Sequence, residues 1–311
     1  MRIAYMIAAH TDPIQLRRLV ISLNGEDIEF FIHIDKKSDI QPFLRELNLE
    51  NVHFLKNRIT TSWGGFSQCE YQKALIKAVL NFEKNFDRVF FLSGLDYPLW
   101  SNQRIVSYLN KFHDKEFIMG MNLTDCFNPP KMQTRVCQYH FRDLSFGNAF
   151  LRRLIYGIVR EALDLLQIRK KNYICIGKEK HKVYCGSSWW CLTGDCLKFV
   201  YDTICTDKEY QRYFKTCLAP DEMLVQTIVF NSKYAKKAIL HKGEYPGLVG
   251  LTPLHYIEYN GEIRVYDEDD FEMLINSGKM FVRKVKSGIS DKLISKIDQY
   301  RQHEKDIITD F

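Results

Sequence analysis

The sequence predicts an α/β fold with a mostly parallel central sheet and helices on both faces. Two patterns carry that expectation. Along residues 1–120, short apolar runs alternate with stretches of helical periodicity, the order expected of βα repeats. The runs are also apolar almost throughout, with no polar alternation, as strands covered on both faces must be.

The elements follow in order. Residues 2–9 form a buried strand, and Thr11-Asp-Pro13 caps and starts a helix whose apolar face carries Ile14, Leu16, Leu19, Val20 and Leu23. Ile28 to Ile34 is a second strand ending at Asp35-Lys-Lys-Ser38. A short helix near Phe43 and a third strand at Val52 to Leu55 come next. Thr61-Ser-Trp-Gly-Gly65 turns into a helix from Ser67 to Phe82. The apolar run Arg88 to Leu92 breaks at Ser93-Gly-Leu-Asp-Tyr-Pro98, and a helix over 102–112 and a strand over 117–119 complete this half.

Between Asp125 and Lys182 the pattern loosens, apart from one helix with a broad apolar face and basic flanks, Phe150 to Ile168, followed by Arg169-Lys-Lys171. Two environments suit it: a core helix with solvated arginines, or peripheral contact with a membrane surface through 150–171. Cys185-Gly-Ser-Ser-Trp-Trp-Cys-Leu-Thr193 reads as a β-like run that sets one indole in the core and the other facing a cleft. Ala219-Pro-Asp-Glu222 then places a carboxylate pair at the mouth of a helix. The plain alternative is that Pro220, Asp221 and Glu222 are ordinary first-turn residues and both indoles are core. Beyond Asn231 come a strand near 238–240, a hairpin-type turn at Asn260-Gly261, a helix over 271–275 and a closing amphipathic helix over 290–308. Asp267-Glu-Asp-Asp270 resembles a metal cluster in composition, but acids before an apolar run are what a helix start looks like.

Composition narrows the function classes. Hydrophobic residues make up 46% and charged residues 26%, which places the chain among soluble globular proteins. Forty-four Lys and Arg against 38 acids give +6, and the basic residues are dispersed, so nucleic acid is not an expected partner. The nine cysteines show no CxxC pair and no zinc spacing, and they read as reduced, packed thiols of a cytoplasmic protein. No stretch reaches the ~20 apolar residues of a spanning helix. In open α/β sheets ligands bind beyond the carboxyl ends of the strands, which selects His10, Asp35 and the Ser93 to Asp96 segment. No GxGxxG follows the first strand, so a nicotinamide cofactor is disfavoured.

Seven segments, taken in order, resemble the core-2/I-branching enzymes, a glycosyltransferase family that includes the peptide xylosyltransferases. They are Ala4 to Pro13, Phe31 to Ser38, Ser62-Trp-Gly-Gly65, Leu92 to Leu99, Gly186-Ser-Ser-Trp-Trp190, Pro220-Asp-Glu222 and Asp270-Phe through Phe281-Val-Arg-Lys284. The resemblance implies a GT-A type fold with a nucleotide-sugar-binding half (1–124) and an acceptor-binding, catalytic half (125–311) of the same domain. It implies metal-independent, inverting transfer from a UDP-sugar, N-acetylglucosamine first and xylose as the alternative, to a saccharide or lipid-linked glycan. No cofactor is implied. By the same matching Glu222 is the general base, Arg264 and Lys284 are diphosphate ligands, and His10 and Asp35 line the nucleotide pocket. Trp189, Trp190 and Asp96 are the candidate acceptor contacts. A non-catalytic sugar- or nucleotide-binding protein on the same fold is the competing class. The segment 125–182 matches the family poorly, so the acceptor is left open. A compact bacterial-type member, cytoplasmic or peripheral on the inner face of the cell membrane, is the expectation.

Overall fold

The computed structural model describes residues 1–125, 130–144 and 148–309. Its first half runs β1 (Ile3–Ala9), α1 (Pro13–Leu23), β2 (Ile28–Ile34), α2 (Gln41–Glu46), β3 (Val52–Phe54), α3 (Ser67–Leu80), β4 (Arg88–Ser93), β5 (Asp96–Pro98), α4 (Asn102–Lys111) and β6 (Met119–Asn122). The second half continues with α5 (Pro130–Cys137), α6 (Ala149–Leu165), the hairpin of β7 (Tyr173–Ile176) and β8 (Glu179–Lys182), then β9 (Tyr184–Cys185) and β10 (Cys191–Thr193). After these come α7 (Gly194–Thr206), α8 (Lys208–Phe214), α9 (Leu224–Phe230), β11 (Ile239–His241), α10 (Gly247–Gly250), β12 (His255–Tyr256), α11 (Phe271–Ile275), β13 (Phe281–Arg283) and α12 (Asp291–Thr309).

The central sheet has the order β10-β4-β1-β2-β3, with β4, β1, β2 and β3 parallel and β10 antiparallel at one edge. Alternate residues of each strand feed opposite cores, as the two-residue period requires. Ile3, Tyr5 and Ile7 of β1, Phe30 and Ile32 of β2, and Phe90 and Leu92 of β4 join one cluster with residues of α1, α4 and α12. Ala4, Met6, Phe31, Val89 and Phe91 join the other with residues of α3, α7 and α9. The expected α/β architecture with helices on both faces is what the chain adopts.

The helix starts explain themselves locally. Asp12 caps α1 by accepting from the Gln15 amide at 3.0 Å, with Pro13 in the first turn. The acids at 267–270 form a capping box: the Asp267 side chain accepts from the backbone ahead, and Asp270 accepts from the Asp267 amide at 3.0 Å. The strand expected at 117–119 instead starts at Met119, and Phe117 makes an isolated bridge to Cys191. The loosened segment holds α5, α6 and the β7–β8 hairpin in its described parts.

Residues from the two sequence halves interleave. β10 pairs with β4, and β13 pairs antiparallel with β5 so that Arg283 lies opposite Asp96. The eight cysteines among the described residues are free thiols, and among the described residues no helix is long and apolar enough to cross a membrane.

Candidate active site

A cavity of about 360 Å³ opens at the carboxyl ends of β1, β2 and β4, walled there by Ala8, Ala9, His10, His33, Asp35 and Ser93. Ser187, Ser188, Trp189, Asp221, Glu222 and Arg283 close it from the other half of the chain. Other hollows in the surface are as large. Chemistry, not volume, distinguishes this one: a carboxylate pair, a guanidinium, two histidines and exposed aromatic rings face one space.

The carboxylate pair is set by a single 3-10 turn, Pro220–Glu222, which precedes α9. Ala219 enters that turn in the left-handed region, at φ 52°, and its amide donates to the Gly64 carbonyl at 2.9 Å. Gly64 is itself at φ +70°, where an L side chain is strained. The backbone of Glu222 is also clamped, its carbonyl accepting from the Gly186 amide at 2.9 Å. Only glycine fits there, because a Cβ on Gly186 would stand 2.0 Å from the Met119 carbonyl oxygen.

The two carboxylates have different surroundings. Glu222 is partly open to solvent, and its Oε2 accepts from the Arg135 guanidinium at 2.5 Å. Arg135 also donates to the Ala219 carbonyl at 3.3 Å. Burial disfavours its charge, but the neighbouring Cys185 and Glu222 outweigh burial, so the guanidinium stays positive. Asp221 is buried. Its Oδ2 accepts from the Ser188 hydroxyl at 2.6 Å and from Gln68 at 3.4 Å, while its Oδ1 has no partner among the described residues. Burial and then repulsion from Glu222 push its pKa up to about 7. For Asp221, desolvation outweighs the lowering effects of the Ser188 hydrogen bond and of Arg135.

The tandem indoles divide as adjacent residues of an extended segment must. Trp190 is fully buried against Phe91, which corrects its assignment as an acceptor contact: no ligand reaches it. Trp189 faces the cavity, stacked on Phe91 at 5.1 Å between centroids, with the Arg283 guanidinium 4.6 Å from its ring centre. Asp96 is a second correction. It is fully buried and accepts from the Ser93 amide (2.7 Å), from His255 Nε2 (3.0 Å) and from Arg283 (3.0 Å). Burial opposes the charged carboxyl, but His255 and Arg283 overcome it and hold the pKa below the usual range. Asp96 therefore aims Arg283 and touches no ligand.

Arg264 is the third correction. Its side chain turns outward to Glu258 (3.1 Å) and Asp270 (2.5 Å) and lies over Tyr266, and it is not part of the cavity wall. The guanidinium that faces the cavity is Arg283. Lys284 follows it directly, half-buried, and is not part of the cavity wall. Burial, then Arg283 and Lys286, lower its pKa. Its charge also acts on His10, whose pKa is lowered first by desolvation, against the raising effect of Asp35, and further by Arg283, Lys284 and Lys37. Glu222 and Arg283 thus border one hollow, and Lys284 is felt there only through its charge on His10.

On the β2 side, Asp35 Oδ1 accepts from the Lys37 amide at 2.9 Å, and Lys37 Nζ reaches the Thr61 carbonyl at 2.6 Å. Behind them His33 is buried, stacked on Tyr71, and its Nε2 accepts from the Ile59 amide at 3.0 Å. Only a neutral ring can accept there; burial above all lowers its pKa to about 4. At the mouth stands Trp63, 76% exposed, with Arg142 over its ring at 5.9 Å.

The residues missed at the sequence level are Arg135, Arg283, Trp63 and Ser188. Arg283, Trp63 and Ser188 lie in motifs of the family resemblance, and the register of β13 against β5 selects Arg283 over its neighbours. Arg135 lies in a stretch without a recognisable pattern, and nothing in the sequence couples it to Glu222.

The profile of the family described as Core-2/I-Branching enzyme matches residues 3–260. The chain belongs to that family. Among its relatives, a xylosyltransferase of Ciona intestinalis is 37% identical over 130 residues, covering 40% of this chain and 15% of that protein. Xylosyltransferase 2 of Mus musculus is 28% identical over 242 residues, covering 74% and 25%. The β-1,3-galactosyl-O-glycosyl-glycoprotein β-1,6-N-acetylglucosaminyltransferase 4 of Mus musculus is 23% identical over 234 residues, covering 73% and 46%. The chain thus spans less than half the length of each of these relatives. Among solved structures, 4-diphosphocytidyl-2C-methyl-D-erythritol synthase from Anaerococcus prevotii is similar at a TM-score of 0.37 and 11% identity, over 78% of this chain and 88% of that one. Nothing further rests on that likeness.

Proposed function

We infer that this core-2/I-branching family member is an inverting glycosyltransferase. It moves a sugar from a UDP-sugar donor to a hydroxyl of a saccharide or glycoconjugate acceptor, without a metal ion, with Glu222 as the general base. The observation that carries this reading is that Glu222, Arg283 and Asp35 border one cavity at the carboxyl edge of the sheet. Asp35 and His10 suit the nucleoside. Arg283 and Lys284 suit the diphosphate, the former as a planar fork and the latter as a point charge.

In the reaction the acceptor oxygen bonds to the anomeric carbon as the bond from that carbon to the diphosphate oxygen breaks on the opposite face. The hydroxyl proton passes to Glu222 and UDP departs with the bonding pair. Negative charge gathers on the leaving diphosphate, so cations fixed beforehand stabilise the transition state more than the ground state. Buried Asp96 supports that preorganisation, since it holds Arg283 in place before any donor arrives. Arg135 engages one oxygen of Glu222, and among the described residues no hydrogen bond reaches Oε1, which suits an incoming hydroxyl.

N-acetylglucosamine is the donor sugar of the first reading. Xylose is the second, favoured because relatives similar over three-quarters of this chain are named xylosyltransferases. The test is a panel of nucleotide sugars read by thermal stabilisation and by UDP release with acceptor, with and without chelator. UDP-sugars alone should stabilise the chain, and chelator should leave turnover unchanged. Loss of turnover in chelator, or equal stabilisation by every nucleotide sugar, overturns the reading.

A further inference from the structure

Helix α6 presents its apolar stripe to solvent. Leu151, Leu154, Ile158 and Leu165 recur at three-, four- and seven-residue spacing, so they fall on one face. All four are exposed, Leu165 by 84%, with Leu166 beside them at 66%. The helix meets the protein body through its other side, where Tyr156 and Leu163 are half-buried and Asp164 accepts from Gln138. A helix that leaves its apolar stripe uncovered is the reverse of the usual arrangement, in which that face is covered.

The charge around the stripe indicates what covers it. Residues 148–171 contain six Lys and Arg against two acids, so this stretch holds +4 of the chain's +6. Two copies of such a face would repel one another, whereas an anionic surface attracts it. The chain just beyond the helix is also tied to α5 and α8. Lys170, just beyond its end, donates through its amide to the Cys137 carbonyl at 2.8 Å and through its ammonium to the Tyr213 carbonyl at 2.6 Å. Cys137 ends α5, the helix that carries Arg135 to Glu222.

We propose that the outer face of α6 docks on an anionic lipid bilayer, its leucines and isoleucine among the acyl chains and the exposed Arg160 and Lys171 at the headgroups. This lays the protein on a membrane surface through α6. The proposal stands on the helix alone and does not depend on the sugar-transfer reading.

Vesicle co-sedimentation tests it, with vesicles of phosphatidylcholine alone and of phosphatidylcholine mixed with phosphatidylglycerol. The chain should pellet with the mixed vesicles, weakly with the neutral ones, and less as salt rises. Leu154→Glu with Ile158→Glu should lower partitioning by at least about tenfold, with an unchanged urea midpoint because both residues are exposed. Arg160→Glu with Lys171→Glu should lower it by about fivefold or more per cation. Failure to bind mixed vesicles overturns the proposal. So does a dimer in light scattering that the Leu154→Glu and Ile158→Glu pair dissociates, since that makes a second copy the occupant.

Discussion

Replacing Asp221 with Asn removes the one cavity carboxyl that burial holds near neutrality, and the consequence for stability can be worked out with its sign. The folded pKa is about 7 against an ordinary 3.8, a displacement corresponding to on the order of 4 kcal/mol. Between about pH 4 and 7 the folded chain keeps a proton that the unfolded chain has released. Stability from this group is therefore lost as pH rises through that window and is constant above it. His33 acts oppositely. Its folded pKa is about 4 against 6.5, so the unfolded chain binds the extra proton and stability rises with pH across the same range, by on the order of 3 kcal/mol.

The two trends largely cancel in the native protein, and only the difference between variant and native isolates Asp221. Asn keeps an oxygen for the Ser188 hydroxyl, so the contact geometry is retained. Urea unfolding of both proteins from pH 4.5 to 8 measures the difference. The variant should gain on the native protein steadily up to pH 7 and hold its advantage beyond. Repeating the series with Glu222→Gln in both chains should narrow the window, because Glu222 is the second cause of the raised pKa. A variant-to-native difference that is flat with pH refutes the reasoning, since it means Asp221 is ionised in the folded chain.

Other outcomes follow from the same geometry. Glu222→Gln should lower turnover by about a hundredfold or more while leaving thermal stabilisation by UDP intact; parallel loss of both makes the residue structural. Arg283→Ala should cost roughly 3 kcal/mol of barrier, about a hundredfold in kcat. Arg264→Ala, which removes an outward-facing pair, should change stability by no more than about 1 kcal/mol and leave kcat alone. Reversal of these two effects would restore Arg264 to the site. Asp96→Ala leaves buried His255, and Arg283 at the cavity wall, without their shared partner and should lower the unfolding free energy by about 3–5 kcal/mol, read from the urea midpoint.

The layered architecture was legible because burial on both faces forces continuous apolar strands, and because caps such as Asp12 with Pro13 are local in the chain. The Asp267 to Asp270 run was legible for the same reason, since a capping box closes within four residues. The cavity's place was legible too, from the rule that parallel sheets open at their carboxyl edge. Trp190, Asp96 and Arg264 were misplaced because each decision depends on partners far off in the chain. Trp190 packs on Phe91, and Asp96 meets Arg283 across 187 positions.

The sequence by itself determined the periodicities, the caps and the family, all properties of neighbouring residues or of motifs in order. Tertiary structure alone decided that Arg283 and not Arg264 faces the cavity, that Arg135 grips Glu222, that Asp221 is driven toward neutrality and that α6 turns its apolar stripe outward. Each of these depends on solvent exclusion and on charge separations of a few ångströms, and a linear chain specifies those only once distant segments have closed on one another.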